Sequence, residues 1–157
     1  MPVAASGAFP RLSLEALAGG ARALETAWAQ GEALILLGHR NCKTTRETLP
    51  FVDRLHRRKG EGATVLAVLQ DDRETAATLV SEKGYEVPVL LEADPYPLAT
   101  ALQLVTVPTL FLVRRGGGIE KAVEGFNRAE LEGFAARLGV AGPLFVPEDN
   151  APAFKPG

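Results

Sequence analysis

Ala33-Leu34-Ile35-Leu36-Leu37-Gly38-His39-Arg40-Asn41-Cys42-Lys43-Thr44-Thr45-Arg46-Glu47-Thr48-Leu49-Pro50 passes from an unbroken apolar run, through a short polar loop, into a segment with helical spacing. The run at residues 33–37 lies between Gly31 and Gly38. Continuous apolarity without alternation is the pattern of a strand covered on both faces, as in the centre of a parallel sheet. Beyond the loop, Leu49, Phe51, Val52 and Leu55 mark one face of a helix over residues 43–59, with Gly60 and Gly62 ending it. Pro50 falls inside that helix, where a proline removes one N–H and favours a kink. Cys42, the single cysteine, therefore stands between the carboxyl end of a central strand and the first turn of a helix. Groups in that place face a crevice in open α/β sheets. The free N–H groups and partial positive charge of a helix start favour a thiolate over a thiol. His39, Arg40, Lys43 and Arg46 add positive charge around the loop.

Working outward, residues 64–69 read as a second buried strand. Asp71 with Glu74 has the form of a capping box opening a helix that runs to Lys83 and stops at Gly84. Residues 87–91 are a third strand, and Asp94 followed by Pro95 reads as an N-cap with proline in the first turn of a helix through Gln103. Residues 107–113 form a strand with Pro108 at its start, where a missing N–H is tolerated. Gly116, Gly117 and Gly118 turn the chain into a hairpin partner at residues 119–125. Asn127 and Glu130 then cap a last helix to Leu138, ended by Gly139. In the other direction, Leu14, Leu17, Ala21, Leu24 and Trp28 recur at helical spacing, broken by Gly19 and Gly20. They predict a short helix, a break and a second helix capped by Gly31.

Three regions follow: a helical N-terminal extension over residues 1–32, a domain over 33–139, and a Pro-rich irregular tail over 140–157 docked by Leu144, Phe145 and Val146. Alternating strand and helix units followed by a hairpin and a helix predict an α/β fold. Its mixed β-sheet is parallel in the centre and antiparallel at one edge, with helices on both faces.

Composition narrows the function classes. A chain of 157 residues with 46% hydrophobic content builds one ordinary core. The net charge of -2, with basic residues spread along the chain, argues against nucleic acid as a partner. No apolar stretch approaches the roughly 18 residues of a membrane span. The first 16 residues, interrupted by Gly7 and Pro10, lack the basic segment and apolar run of a secretory leader. One cysteine makes no internal disulfide and no thiolate-rich metal cage, and His39 and His56 do not complete a metal set. Asp71 and Asp72 read as helix caps rather than metal ligands. The glycine run at 116–118 precedes a strand, so it is no phosphate cradle. The expectation is a cytoplasmic protein, monomer or weak dimer, with no metal or resident cofactor and no membrane partner.

The stretch Cys42-Lys43-Thr44-Thr45-Arg46-Glu47-Thr48-Leu49-Pro50 resembles the cysteine-x-x-cysteine-arginine-x-x-x-proline segment of thioredoxin-like proteins of the ResA and TlpA type. Val107-Pro108-Thr109-Leu110-Phe111 resembles their cis-proline segment. Glu92-Ala93-Asp94-Pro95 and the glycines at 116–118 fall where that type has its pre-helix loop and hairpin turn, so the resemblance covers roughly residues 33–138. It implies a thioredoxin-like three-layer sandwich, a cis Pro108 beside Cys42, and a Val107 backbone able to pair with an extended substrate. Strand geometry agrees: a strand leaving Pro108 antiparallel to the one leaving Ala33 starts at the same sheet end as Cys42. Two departures stand out. Thr45 occupies the position of the second cysteine, which rules out a dithiol cycle within this chain alone. Asn41 replaces the tryptophan that precedes the first cysteine.

These residues predict a monothiol thioredoxin-like oxidoreductase. Cys42 as thiolate attacks a protein or small-molecule disulfide, a glutathione mixed disulfide or a peroxide, and an external thiol, glutathione or a partner thioredoxin, regenerates it. Thr45, one turn on, donates a hydrogen bond to the sulfur, and Asn41, Lys43, Val107 and Pro108 line the substrate side. The peroxidase form is the weaker one, because peroxiredoxins keep a threonine three residues before the reactive cysteine and His39 stands there. The alternative is a redox-inactive thioredoxin-fold module, peptide-binding or chaperone-like, working through the groove around Val107 and Pro108.

Overall fold

A computed structural model describes residues 7–157; residues 1–6, the start of the stretch examined for a leader, lie outside the described part. The first elements correct the expectation of a helical extension. Ser13–Ala16 (β1) and Ala21–Ala23 (β2) are antiparallel strands, and Leu24–Trp28 is a single 3-10 turn. Gly19 and Gly20 take φ of +118° and +74°, backbone that glycine enters without steric cost, and turn the chain back on itself. Leu14, Leu24 and Trp28 still share one apolar cluster, but they reach it from a strand and the turn after it. Gly31 caps no helix; a Cβ there would collide with the carbonyl of Gly62.

Ala33–Gly38 (β3) follows with all six residues buried, then Lys43–Arg58 (α1), which contains Pro50. Thr64–Leu69 (β4), Arg73–Lys83 (α2), Val89–Leu91 (β5), Pro97–Ala101 (α3), Thr109–Val113 (β6), Ile119–Glu124 (β7), Phe126–Asn127 (β8), Arg128–Arg137 (α4) and Phe154–Lys155 (β9) complete the chain. The main sheet has the order β2-β1-β5-β4-β3-β6-β7. Its centre, β5-β4-β3, is parallel, and β6 and β7 add antiparallel strands on one side, as the sequence implies. The second antiparallel edge, β1 on β5, was not foreseen.

Side chains of β3 alternate between two cores. Leu34 and Leu36 pack with residues of α1, α2 and α4, including Leu49, Val52, Leu79 and Phe134. Ile35 and Leu37 face Trp28, Leu98 and Phe111 on the opposite side. The α1 and α2 crossovers lie on one face because the strand order β3, β4, β5 advances in one direction and such connections keep one hand. Among the described residues no helix is long and apolar enough to cross a membrane.

Three boundaries differ from the sequence reading. The cap of α2 is Asp72, whose carboxylate accepts from Thr75 N at 2.7 Å, while Asp71 turns to Arg40 N at 2.9 Å. The helix expected over residues 94–103 shrinks to α3. Its first position is Pro97, after a cis Asp94–Pro95 peptide and Tyr96 at φ 55°. Its opening N–H groups, from Leu98 and Ala99, are taken by the buried carboxylate of Glu92 rather than by Asp94. The tail is not irregular throughout: β9 pairs with β8, and Leu144 and Phe145 are buried, whereas Val146 is 38% exposed. Phe145 stacks in a cluster with Phe51 and Phe126, ring centroids 4.6 and 6.1 Å away.

Candidate functional site

The loop from β3 to α1 is held from three directions. Cys42 N donates to His39 O at 3.2 Å, Arg46 donates to Arg40 O at 2.5 Å, and Asp71 takes the N–H of Arg40. Arg46 thus braces the loop. Cys42 is the N-cap of α1, with extended backbone, and its side chain makes no capping hydrogen bond among the described residues. The N–H groups of the first turn remain available to whatever lies at the sulfur.

The thiol of Cys42 is half-buried and donates to Val107 O, with Sγ 3.4 Å from the oxygen. Sheet register makes this contact: antiparallel pairing of Leu37 with Thr109 brings residues 107–108 to the sheet end where β3 releases the chain. The Val107–Pro108 peptide is cis. Cys42, Val107 and Pro108 thus meet in space. In this contact the thiol is the donor and the Val107 carbonyl the acceptor.

Thr45 is placed differently from the expectation. It is fully buried, its hydroxyl has no hydrogen-bond partner, and it packs so closely on Gly38 that a Cβ there would lie 2.7 Å from its Cγ2 and Oγ1. The expected hydrogen bond from Thr45 to the sulfur is absent because one helical turn carries this side chain inward under β3. Asn41 and Lys43 are exposed beside Cys42, and the Lys43 ammonium lies 3.7 Å from Glu47.

The cleft beside Val107 and the contact of Thr44 with the tail had no signal in the sequence. An open cleft of about 390 Å³ lies against Val107, lined in part by His39, Gln70, Tyr96, Gln103 and Val105. Val105 is 61% exposed there. Thr44, in the first turn of α1, donates its hydroxyl to Pro156 O at 2.6 Å, a contact across 112 positions of chain. Asp72, on the far side of the loop, has its carboxyl held below the usual range by the N–H and then the hydroxyl of Thr75. Among the described residues no group of three or more His, Cys, Asp or Glu is placed to hold a metal ion.

This sheet order, with helices on both faces and a proline loop meeting a cysteine at a helix start, defines a thioredoxin-like fold. The solved structures it resembles include thiol-disulfide oxidoreductases. A protein named as thiol:disulfide interchange protein DsbE from Chlorobium tepidum matches with a TM-score of 0.75 and 19% identity, over 86% of this chain and 95% of that one. The thioredoxin domain of a thiol-disulfide oxidoreductase from Bacteroides vulgatus matches with a TM-score of 0.75 and 18% identity, over 85% and 96%. StoA from Bacillus subtilis matches with a TM-score of 0.64 and 15% identity, over 74% and 89%. No protein-family model matches the chain, and no curated protein matches its sequence.

Proposed function

We propose that this chain is a monothiol thiol-disulfide exchange protein acting through Cys42. The observation that carries the reading is the position of Sγ, at the uncapped start of α1 and 3.4 Å from the carbonyl of the residue before Pro108. In the exchange, the Cys42 thiolate attacks one sulfur of a substrate disulfide. A mixed disulfide forms and the other substrate sulfur leaves as a thiolate, which takes a proton from solvent. An external thiolate, from glutathione or a partner thioredoxin, then attacks the substrate sulfur of the mixed disulfide, forming a new disulfide with it as the bond to Cys42 breaks and Cys42 leaves as the thiolate. Thr45 supplies no second thiol, so release depends on that external partner. The Val107 backbone pairs with an extended substrate, and the adjoining cleft takes its flanking side chains.

A redox-inactive peptide-binding module is the second reading, favoured by one contact, the thiol proton of Cys42 on Val107 O. Alkylation rate against pH separates the two. A midpoint well below the free-cysteine value of about 8.5 supports exchange chemistry, and one at or above it supports the module. Incubation with oxidised glutathione followed by intact mass measurement adds a second test. A glutathione adduct formed by the wild type and lost in Cys42→Ser is expected; no adduct on the wild type rejects the exchange reading.

A further inference from the structure

We propose that residues 154–157 are a built-in strap over the Val107 side of the site, which a disulfide-bearing peptide must displace before it reaches Cys42. The proposal rests on the reading of Val107 as the substrate-pairing residue. The strap begins at β9, where Lys155 and Phe154 pair with Phe126 and Asn127 of β8. Pro156 then presents its carbonyl to the Thr44 hydroxyl in the first turn of α1. Gly157 lies against the proline loop so closely that a Cβ on it would collide with Val107 O and the Thr106 methyl. One carbonyl oxygen thus has the Cys42 thiol on one side and the strap on another.

The way the segment is held suits a displaceable occupant. Upstream, the tail is rooted by buried Leu144 and Phe145, by the Arg54–Asp149 pair, and by Arg128 N donating to Ala153 O at 3.0 Å. Beyond Ala153 the anchors are a two-residue strand and the Thr44 bond, and Phe154 is 55% exposed. Residues 154–157 can therefore lift away while the root stays. A side chain at position 157 would collide with Val107 O, so the close approach depends on glycine there. An extended peptide cannot occupy the Val107 carbonyl side while Gly157 fills it.

The test measures mixed-disulfide formation between Cys42 and two probes: oxidised glutathione, which is small, and a ten-residue peptide carrying a central cysteine as its thionitrobenzoate disulfide. Four proteins are compared: the full chain, the chain lacking residues 154–157, Gly157→Val and Thr44→Val. Circular dichroism confirms that each is folded. The strap predicts that deletion and Gly157→Val raise the peptide rate about 3- to 10-fold, the range set by the net worth of one hydrogen bond and its contacts, with Thr44→Val between them and the full chain. The glutathione rate changes less than the peptide rate. Equal peptide rates in all four proteins overturn the strap while leaving the exchange reading standing. If no protein forms a mixed disulfide with either probe, the reading of Cys42 fails and the strap falls with it.

Discussion

The substitution Asp149→Asn tests how the tail is rooted. The Asp149 carboxylate accepts from both terminal nitrogens of Arg54, at 2.8 and 3.1 Å, and from Val146 N at 2.8 Å. The two side chains are only 25% and 12% exposed. Arg54 also donates to Leu144 O at 2.8 Å and lies over the Phe51 ring, so the pair ties the tail to α1. Asparagine keeps the shape but loses the charge, and turns an N–H₂ group toward a guanidinium that needs an acceptor. Charge-assisted bonds of this kind are worth about 1.5–3 kcal/mol, reduced here by the partial exposure of Arg54 to about 1–2 kcal/mol. In a domain of this size that lowers Tm by roughly 2–8 °C. The Arg54 bond, with the Val146 N–H and the Arg54 charge as lesser contributions against the opposing effect of burial, holds the Asp149 carboxyl below its ordinary range. Its stabilisation is therefore complete above the unfolded carboxyl value and disappears as pH falls through the depressed folded value. Thermal unfolding of both proteins at pH 7, 4 and 2 should show a full gap at pH 7 that closes in the most acidic buffer. Coincident midpoints at pH 7, or a gap that persists undiminished at pH 2, would refute the reasoning.

Thr45→Val replaces a fully buried hydroxyl that has no partner among the described residues with a methyl group of similar volume. It should raise stability by about 0.5–2 kcal/mol in urea unfolding, and a lowered midpoint would show that the hydroxyl finds a partner in solution. Gly38→Ala should cost about 1–3 kcal/mol, because its Cβ meets Thr45 at 2.7 Å. Adding Thr45→Ala should recover much of that loss, and a double-mutant coupling near zero would count against the contact. Glu92→Gln places an amide donor where the buried carboxylate accepts from Leu98 N, Ala99 N and the Gln70 side chain. The expected loss is about 1–3 kcal/mol by denaturant titration, and an unchanged midpoint would remove Glu92 as the anchor of α3.

The passage from β3 to α1 was legible because its signals are local: an apolar run long enough for one strand, a polar loop, and a helical period beginning just after Cys42. The hairpin at 116–118 and the Asn127 cap were readable for the same reason, the cap closing on Glu130 N at 3.1 Å. The N-terminal segment misled, since Leu14, Leu24 and Trp28 satisfy a helical period by coincidence. Two adjacent glycines could mark a weak helix or a turn, and pairing of β1 with β5 decided for the turn. Asp71 and Asp72 are neighbours of equal capping ability, and the choice fell to Asp72 because Asp71 is drawn to Arg40, 31 positions away.

Sequence alone thus determined the α/β layering, the parallel centre of the sheet and the place of the lone cysteine at a helix start, since each follows from side-chain periodicity and chain stiffness over a few residues. Tertiary structure alone decided that Sγ faces Val107 O, 65 positions on, that the Thr45 hydroxyl turns inward, and that Pro156 and Gly157 come to rest beside the site. Those contacts depend on strand register and on which surfaces bury each other, quantities set by the whole fold and carried by no short stretch of the chain.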